Sequence, residues 1–173
     1  LEKINNDPDI IALNLTAYEK AMLCKNILMN TAIPIIEVAT GLVDSTRIQG
    51  AGAMNLRNAI ETDVVVTESN SKSAKINLGE ISDIGFTFDL SVQNYGGDTK
   101  TFRLSETLTT DGTAEVIENV LNANILQSIE LDASVTYYAN GKKVNRTLVV
   151  NPYETVVLTV KFNRIDFRDI TRA

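Results

Sequence analysis

The sequence predicts a mainly β protein, an antiparallel β-sandwich preceded by a short α-helical segment. Two observations support this. Before residue 61, apolar residues recur every three to four positions, which is the period of an amphipathic helix. After it, they alternate at every second position in short segments separated by turn residues, which is typical of a sandwich. We therefore divide the chain into residues 1–61 and residues 62–173.

The main helix is predicted over residues 17–32. Thr16 precedes it and Glu19 follows three residues later, which is the arrangement of a capping box. Pro34 is expected to close this segment, because proline cannot continue a helix. A second, shorter helix is predicted over residues 54–60.

The strands are predicted from their alternation and from the turns that separate them. The clearest is residues 85–94, in which Phe86 and Phe88 share one face with Leu90 and Val92. The sequence of residues 111–131 is less regular, and we interpret it as a long loop with a helical turn over residues 114–122. The other strands are expected at 62–68, 74–81, 99–110, 134–138, 146–150 and 154–162.

Composition excludes several classes of function. The chain has 173 residues, no histidine, a single cysteine and a formal net charge of −6. Without histidine it contains no Ser-His-Asp or Cys-His catalytic set, and one cysteine forms neither an internal disulfide nor a cysteine zinc cluster. The acidic balance argues against nucleic-acid binding, which needs Lys and Arg. No run reaches the roughly 18 apolar residues of a membrane helix, so we expect no membrane insertion.

The glycine-rich residues 50–52 (GAG) are predicted to form a structural turn or a close backbone approach. A phosphate-binding loop is rejected, because the spacing and the Lys-Ser/Thr pair of a P-loop are missing. Cys24 lies on the apolar face of the main helix and is predicted to be a buried, inert thiol. Residues 5–9 (NNDPD) are predicted to be a solvated loop, with weak calcium binding as the open alternative.

The remaining polar candidates are also interpreted as surface features. The sequons at Asn14 and Asn145 are predicted to be unmodified if the source is bacterial. Of the neighbouring Tyr137 and Tyr138, one is expected to face the core, and the other to be a surface ring or a contact for a neighbouring domain. A solvated acidic face, rather than an acid–base pair, is predicted for the carboxylates Asp111, Glu115, Glu118, Glu130 and Asp132.

Two short motifs of the helical segment resemble a known family. Residues 27–32 (ILMNTA) and 49–55 (QGAGAMN) are similar to the end of the catalytic domain in subtilisin-like serine peptidases, in the same order and with a similar gap. There, a helix ending in LMNTA leads through a loop to a GAG turn and a short final helix. Residues 85–94 (GFTFDLSVQN) and 149–158 (VVNPYETVVL) resemble strands of the fibronectin type III-like domain that follows in the cell-envelope branch.

The resemblance implies that residues 1–61 are the helical, incomplete C-terminal end of a catalytic domain and that residues 62–173 are a fibronectin type III-like sandwich. The family's nucleophile motif, Gly-Thr-Ser-Met-Ala or similar, would lie upstream of Leu1, and its aspartate and histidine further upstream. We therefore assign no catalytic, cofactor-binding or metal-binding residue in this chain and expect no cofactor. The family's sandwich continues with a further strand after Phe162, so we expect either that residues 163–173 supply this strand or that the domain is trimmed at its C-terminus.

The implied function is that of a non-catalytic segment of a secreted or cell-wall-anchored bacterial endopeptidase. It would support and position the catalytic domain for proteolysis of protein substrates. Its partners would be the upstream catalytic domain and protein substrates. The excised segment is expected to self-associate or to leave residues 1 to about 60 poorly packed. The alternative is a free-standing immunoglobulin-like adhesion or scaffolding module. An independent enzyme without histidine ranks last.

Overall fold

The computed structural model describes residues 1–79, 85–117 and 120–165. Antiparallel sheets dominate and a few short helices precede them, so the predicted fold class is confirmed: the chain is mainly β and resembles an immunoglobulin or fibronectin type III sandwich. The elements are α1 (Glu2–Asn6), α2 (Pro8–Ala12), α3 (Ala17–Asn30), α4 (Thr46–Gln49), α5 (Leu56–Glu61), β1 (Val64–Glu68), β2 (Phe86–Asn94), β3 (Lys100–Arg103), β4 (Thr109–Ile117), β5 (Val120–Glu130), β6 (Ala133–Ala139), β7 (Lys142–Val144), β8 (Thr147–Val150) and β9 (Thr155–Ile165).

The larger sheet has five antiparallel strands in the order β1-β2-β9-β6-β7, and β3 pairs with β8 in a separate two-stranded sheet. The alternation predicted for residues 154–162 is confirmed, because alternate residues of β9 are buried and their neighbours are more exposed. Phe162 of β9 stacks on Phe86 of β2 with ring centroids 4.5 Å apart. Leu148 and Val150 of β8 pack into the same core, so the two sheets enclose one apolar layer.

The long loop predicted over residues 111–131, with its helical turn over residues 114–122, is wrong. The chain forms an antiparallel hairpin there, in which β4 pairs with β5 as a second two-stranded sheet. Gly112 lies at the register shifts of this hairpin, and a glycine and several β-branched residues disfavour helix in this stretch.

Two predicted strands are also corrected. Residues 74–79 are not a strand, since local side chains bind their peptide groups: the Gly79 N–H donates to Asn77 Oδ1 at 3.0 Å. Residues 80–81 of the same prediction lie outside the described part. The strand predicted over residues 99–110 is divided, because β3 ends at Arg103 and an irregular segment separates it from β4.

The prediction for the main helix is confirmed, although α3 ends at Asn30. Both halves of the capping box are present: the Glu19 N–H donates to Thr16 Oγ1 at 3.3 Å, and the Thr16 N–H donates to Glu19 Oε2 at 2.8 Å. The second helix, α5, begins two residues later than predicted. Residues 5–9 are largely exposed, as predicted, but they are not a loop, since Asp7 caps α2 and connects it to α1.

Two predictions remain, one about membrane-spanning helices and one about the end of the last strand. None of the described helices has the length and apolar character of a membrane-spanning helix. β9 continues to Ile165, three residues beyond its predicted end, and the remainder of the C-terminal tail lies outside the described residues.

Candidate functional site

Exposed apolar side chains are concentrated in the helical segment. Of seventeen large hydrophobic side chains exposed in the described part of the chain, five belong to the sandwich half. The other twelve lie within the first 61 of 173 residues. They are Leu1, Ile11, Leu13, Tyr18, Ile33, Ile35, Ile36, Val38, Ile48, Met54, Leu56 and Ile60.

Six of these side chains belong to residues 33–54, which we call the apolar segment. Its backbone is well fixed by two isolated antiparallel bridges, one between Ile33 and Ala53 and one between Ile36 and Val43. The Gln49 side chain adds two hydrogen bonds inside the segment, accepting from the Ile35 N–H at 2.6 Å and donating to the Asp44 carbonyl at 2.6 Å. The apolar segment therefore has a defined backbone and an uncovered apolar surface.

The predicted turn at residues 50–52 is confirmed and explains how this segment closes. Gly50 has φ 66° and ends α4, while Gly52 has φ 111°. A Cβ on Gly52 would lie 2.3 Å from the Ile33 carbonyl oxygen, so glycine is required for the close backbone approach at the bridge to Ala53.

An open groove of about 440 Å³ runs between α1, α3 and α5. Its lining is mostly apolar, with Glu2, Lys3 and Asn6 as the polar members. Cys24 lines this groove, so its predicted place on the apolar face of the helix is confirmed, but it is half-buried rather than buried as predicted. The apolar lining residues are Leu1, Ile4, Cys24, Ile27, Leu28, Leu56, Ala59 and Ile60.

The helical segment and the sandwich share strand β1. Val64 belongs to the sandwich core, whereas Val65, 5% exposed, packs with Leu23 and Ile27 of α3, because successive side chains of a strand point to opposite faces. Two buried apolar clusters thus meet on a single strand.

Charged groups reinforce this junction. Lys3 of α1 donates from Nζ to the Thr62 carbonyl and lies 3.7 Å from Asp63. Lys100 of β3 approaches the other Asp63 oxygen at 3.1 Å. The carboxylate of Asp63 therefore joins a lysine of the helical segment to one of the sandwich.

Two asparagines of α3 make a second set of contacts with the sandwich half. Asn26, 4% exposed, donates from Nδ2 to the Lys72 carbonyl at 2.9 Å and accepts from the Ala74 N–H at 3.0 Å. One turn later, Asn30 makes the same type of paired contact with Val66 of β1. Sequence reasoning missed both roles, because an asparagine in a helical pattern gives no sign of a distant backbone partner.

A polar cluster on the sandwich was also missed. Arg146 binds Glu106 through both guanidinium Nη atoms, at 2.8 and 2.6 Å, and the Tyr137 hydroxyl donates to the same carboxylate. The hydrogen bonds from Arg146 hold the pKa of Glu106 below its usual value, and burial raises the pKa of Tyr137. The three residues are 31 and 40 positions apart in the chain, a separation that carries no local sequence signal.

The two neighbouring tyrosines and the two sequon asparagines lie where the sequence predicts. Tyr137 is buried in the core and Tyr138 is half-buried on the opposite face, which confirms the alternation. Asn14 and Asn145 of the sequons are exposed.

The predicted acidic face is described only in part. Glu130 and Asp132 are exposed. The side chains of Asp111 and Glu115, and the whole of Glu118, lie outside the described part. Over the described residues, no group of three or more Cys, Asp or Glu side chains is placed to hold a metal ion.

No protein-family model matches the chain. It is similar to C5a peptidases of Streptococcus pyogenes. It is 32% identical over 79 residues to the C5a peptidase of serotype M6, a match that covers 46% of this chain and 6% of the relative. The C5a peptidases of serotypes M18 and M1 are 29% identical over 98 residues, which is 57% of this chain and 8% of each relative. The chain thus spans 6 to 8% of the length of these relatives, and about half of it is similar to a small part of a streptococcal peptidase.

Proposed function

We propose that this chain is a non-catalytic segment of a secreted or cell-wall-associated subtilisin-like serine endopeptidase. Residues 1–61 would be the C-terminal helical end of the catalytic domain, and residues 62–173 the fibronectin type III-like domain that follows it. The partial similarity to C5a peptidases supports the peptidase class. The motifs at residues 27–32 and 49–55 support the position within the catalytic domain.

The observation that carries this proposal is the uncovered apolar surface of the helical segment. A soluble chain rarely leaves large contiguous apolar patches exposed unless a partner covers them. Full burial of an isoleucine side chain contributes about 1.5–3 kcal/mol. Ile36 is 51% exposed, so covering it would contribute roughly half of that, and several such residues together would stabilise the contact with a neighbouring body. The partner that we propose is the upstream part of the same catalytic domain.

The role of the sandwich would be to support and orient that catalytic body. β1 contributes Val64 to one buried cluster and Val65 to the other, which favours a stiff connection. A stiff connection transmits orientation, whereas a flexible linker does not. The sandwich would thus hold the catalytic domain in a fixed orientation relative to the cell surface and to the protein substrates.

The test compares the chain alone with a longer version that includes the upstream sequence of its parent. We expect the chain alone to self-associate and to bind a hydrophobic dye, and the longer version to be monomeric with hydrolytic activity towards protein. The triple variant Ile33→Ser, Ile36→Ser, Val38→Ser should reduce self-association of the short chain. The control Val149→Ser, Val157→Ser, on exposed strand positions of the sandwich, should not.

Two results would overturn the proposal. One is a chain that is monodisperse and monomeric without its upstream sequence. The other is a parent sequence without a Gly-Thr-Ser motif shortly before Leu1, which would favour the free-standing adhesion or scaffolding module instead.

A further inference from the structure

The outer edge of β1 is saturated with hydrogen bonds, although none of the described strands pairs with it. Alternate residues of an edge strand direct their peptide groups away from the neighbouring strand, and in β1 these are Val64, Val66 and Glu68. The Thr62 hydroxyl lies 3.2 Å from both the N–H and the carbonyl of Val64. The peptide groups of Glu68 bond within the turn of residues 68–73.

At the middle position, Val66, both peptide groups are hydrogen-bonded to a side chain from the helical segment. Asn30, the last residue of α3, accepts from the Val66 N–H at 2.7 Å through Oδ1 and donates to the Val66 carbonyl at 3.0 Å through Nδ2. A carboxamide presents one acceptor and one donor side by side, as a peptide group does. Asn30 therefore takes the place that one residue of a sixth strand would occupy.

We propose that Asn30 is the residue that seals the edge of β1 and fixes the direction of α3 on the sandwich. An open edge is a template for pairing with other chains, and the β-branched run of Val64, Val65 and Val66 would make such pairing favourable. Asn26, one helical turn earlier, binds the loop after β1 in the same two-pronged way. Two such contacts, one helical turn apart, fix two points along α3 in addition to the apolar packing of Leu23 and Ile27 on Val65.

This role is independent of which body covers the apolar surface. It also explains why other polar residues would not serve. Aspartate keeps the acceptor for the Val66 N–H but places an anion against the Val66 carbonyl. Glutamine is longer by one methylene group. Serine is shorter than asparagine, so its hydroxyl lies closer to the helix backbone and further from Val66.

The first test measures amide hydrogen exchange of Val66. We expect Asn30→Ala to accelerate exchange at Val66 by about tenfold, the loss expected for one net hydrogen bond, while the core amides of β2 and β9 stay protected. The matched control is Asn145→Ala, which removes an exposed asparagine from a turn and should leave Val66 unchanged. Equal exchange at Val66 in the two variants would overturn the proposal.

The second test uses Asn30→Asp, because a protonated carboxyl group offers the same donor and acceptor as the amide. We expect the protection factor of Val66, compared with the wild type at the same pH, to be low at pH 7 and to recover at about pH 3, below the usual aspartate pKa of about 3.9. A residue that acted only by packing would give no such recovery, so an Asn30→Asp variant as unprotected at about pH 3 as at pH 7 would contradict the role. This test also decides the matter if Asn30→Ala does not fold.

The third test measures orientation. Spin labels at Tyr18→Cys on α3 and Lys161→Cys on β9, two exposed positions, report the distance between helix and sandwich in a Cys24→Ala background. We expect a narrow distribution that becomes broader in Asn30→Ala and stays narrow in Asn145→Ala. An unchanged width in Asn30→Ala would show that packing alone fixes the helix.

Discussion

Gly52 is the residue whose replacement should be least tolerated for backbone reasons. Its φ of 111° is unfavourable for any side chain, and a Cβ would collide with the Ile33 carbonyl at 2.3 Å. We expect Gly52→Ala to lower the free energy of unfolding by at least about 2 kcal/mol. Gly79→Ala, with φ 66° and open space around the added methyl group, should cost about 1 kcal/mol. Urea denaturation checks both, and equal losses would contradict the collision at Gly52.

The carboxylate of Glu68 should make stability depend on pH in the acid range. Hydrogen bonds from the backbone N–H groups of Ser71 and Asn70 lower its pKa from 4.5 to about 2. Because the pKa is depressed in the folded state, the stabilisation is complete above pH 4.5 and is lost as the pH falls towards 2. Glu19 and Glu106, whose pKa values are also lowered, contribute in the same direction.

The measurement is the urea midpoint at pH 7, 4.5 and 2. In Glu68→Gln the midpoint should be lower than that of the wild type at pH 7 and should fall less between pH 4.5 and pH 2. A variant with the same acid dependence as the wild type would show that the turn at residues 68–73 does not stabilise the ionised form.

Several decisive contacts of single residues could not be predicted from the sequence. Asn30 and Asn26 bind backbone groups 36 to 48 positions away, and any residue type has those groups. Glu106 and Arg146 are 40 positions apart, with the hairpin of β4 and β5 between them in the sequence, so only the tertiary fold brings them together. By contrast, the turn at Gly50 and Gly52 was predictable, because glycine adopts the positive φ angles that other residues avoid.

At the level of elements, α3 depends on its capping box. Thr16→Ala removes the side-chain acceptor for the Glu19 N–H and should lower the free energy of unfolding by about 1 kcal/mol. Lys25→Ala, at an exposed position in the middle of the same helix, is the control and should be close to neutral. Urea denaturation followed by circular dichroism tests this, and a Thr16→Ala variant as stable as the control would refute the assigned cap.

Elements with strong periodicity were predictable and those defined by long-range contacts were not. α3, β2 and β9 follow their patterns closely. The hairpin of β4 and β5 was not foreseen because its apolar residues are interrupted by glycine and polar residues, so neither period dominates. The short helices α1, α2 and α4 are only four or five residues long, which is too short for a period to show.

For the whole molecule, the shared strand predicts cooperative unfolding. Val64 and Val65 of β1 belong to the two buried clusters, so unfolding of this strand disrupts both of them. We expect calorimetry under monomeric conditions, for example at high dilution, to show one transition with equal calorimetric and van't Hoff enthalpies. Two resolved transitions would show that the helical segment and the sandwich are separate folding units.

The dual use of β1 has a practical consequence for anyone who wishes to produce the strand-rich part on its own. An expression fragment that begins at Thr62 would keep every strand but would lose the helix that shields Val65 and the amide that binds Val66. We expect such a fragment to precipitate, because the apolar side chain of Val65 and the unpaired peptide groups of Val66 would be exposed. A start at Leu15 would retain α3 but would remove Ile4 and Ile10, which are buried in the same cluster as Val65, so the strand-rich part is best produced together with all the helices that precede it.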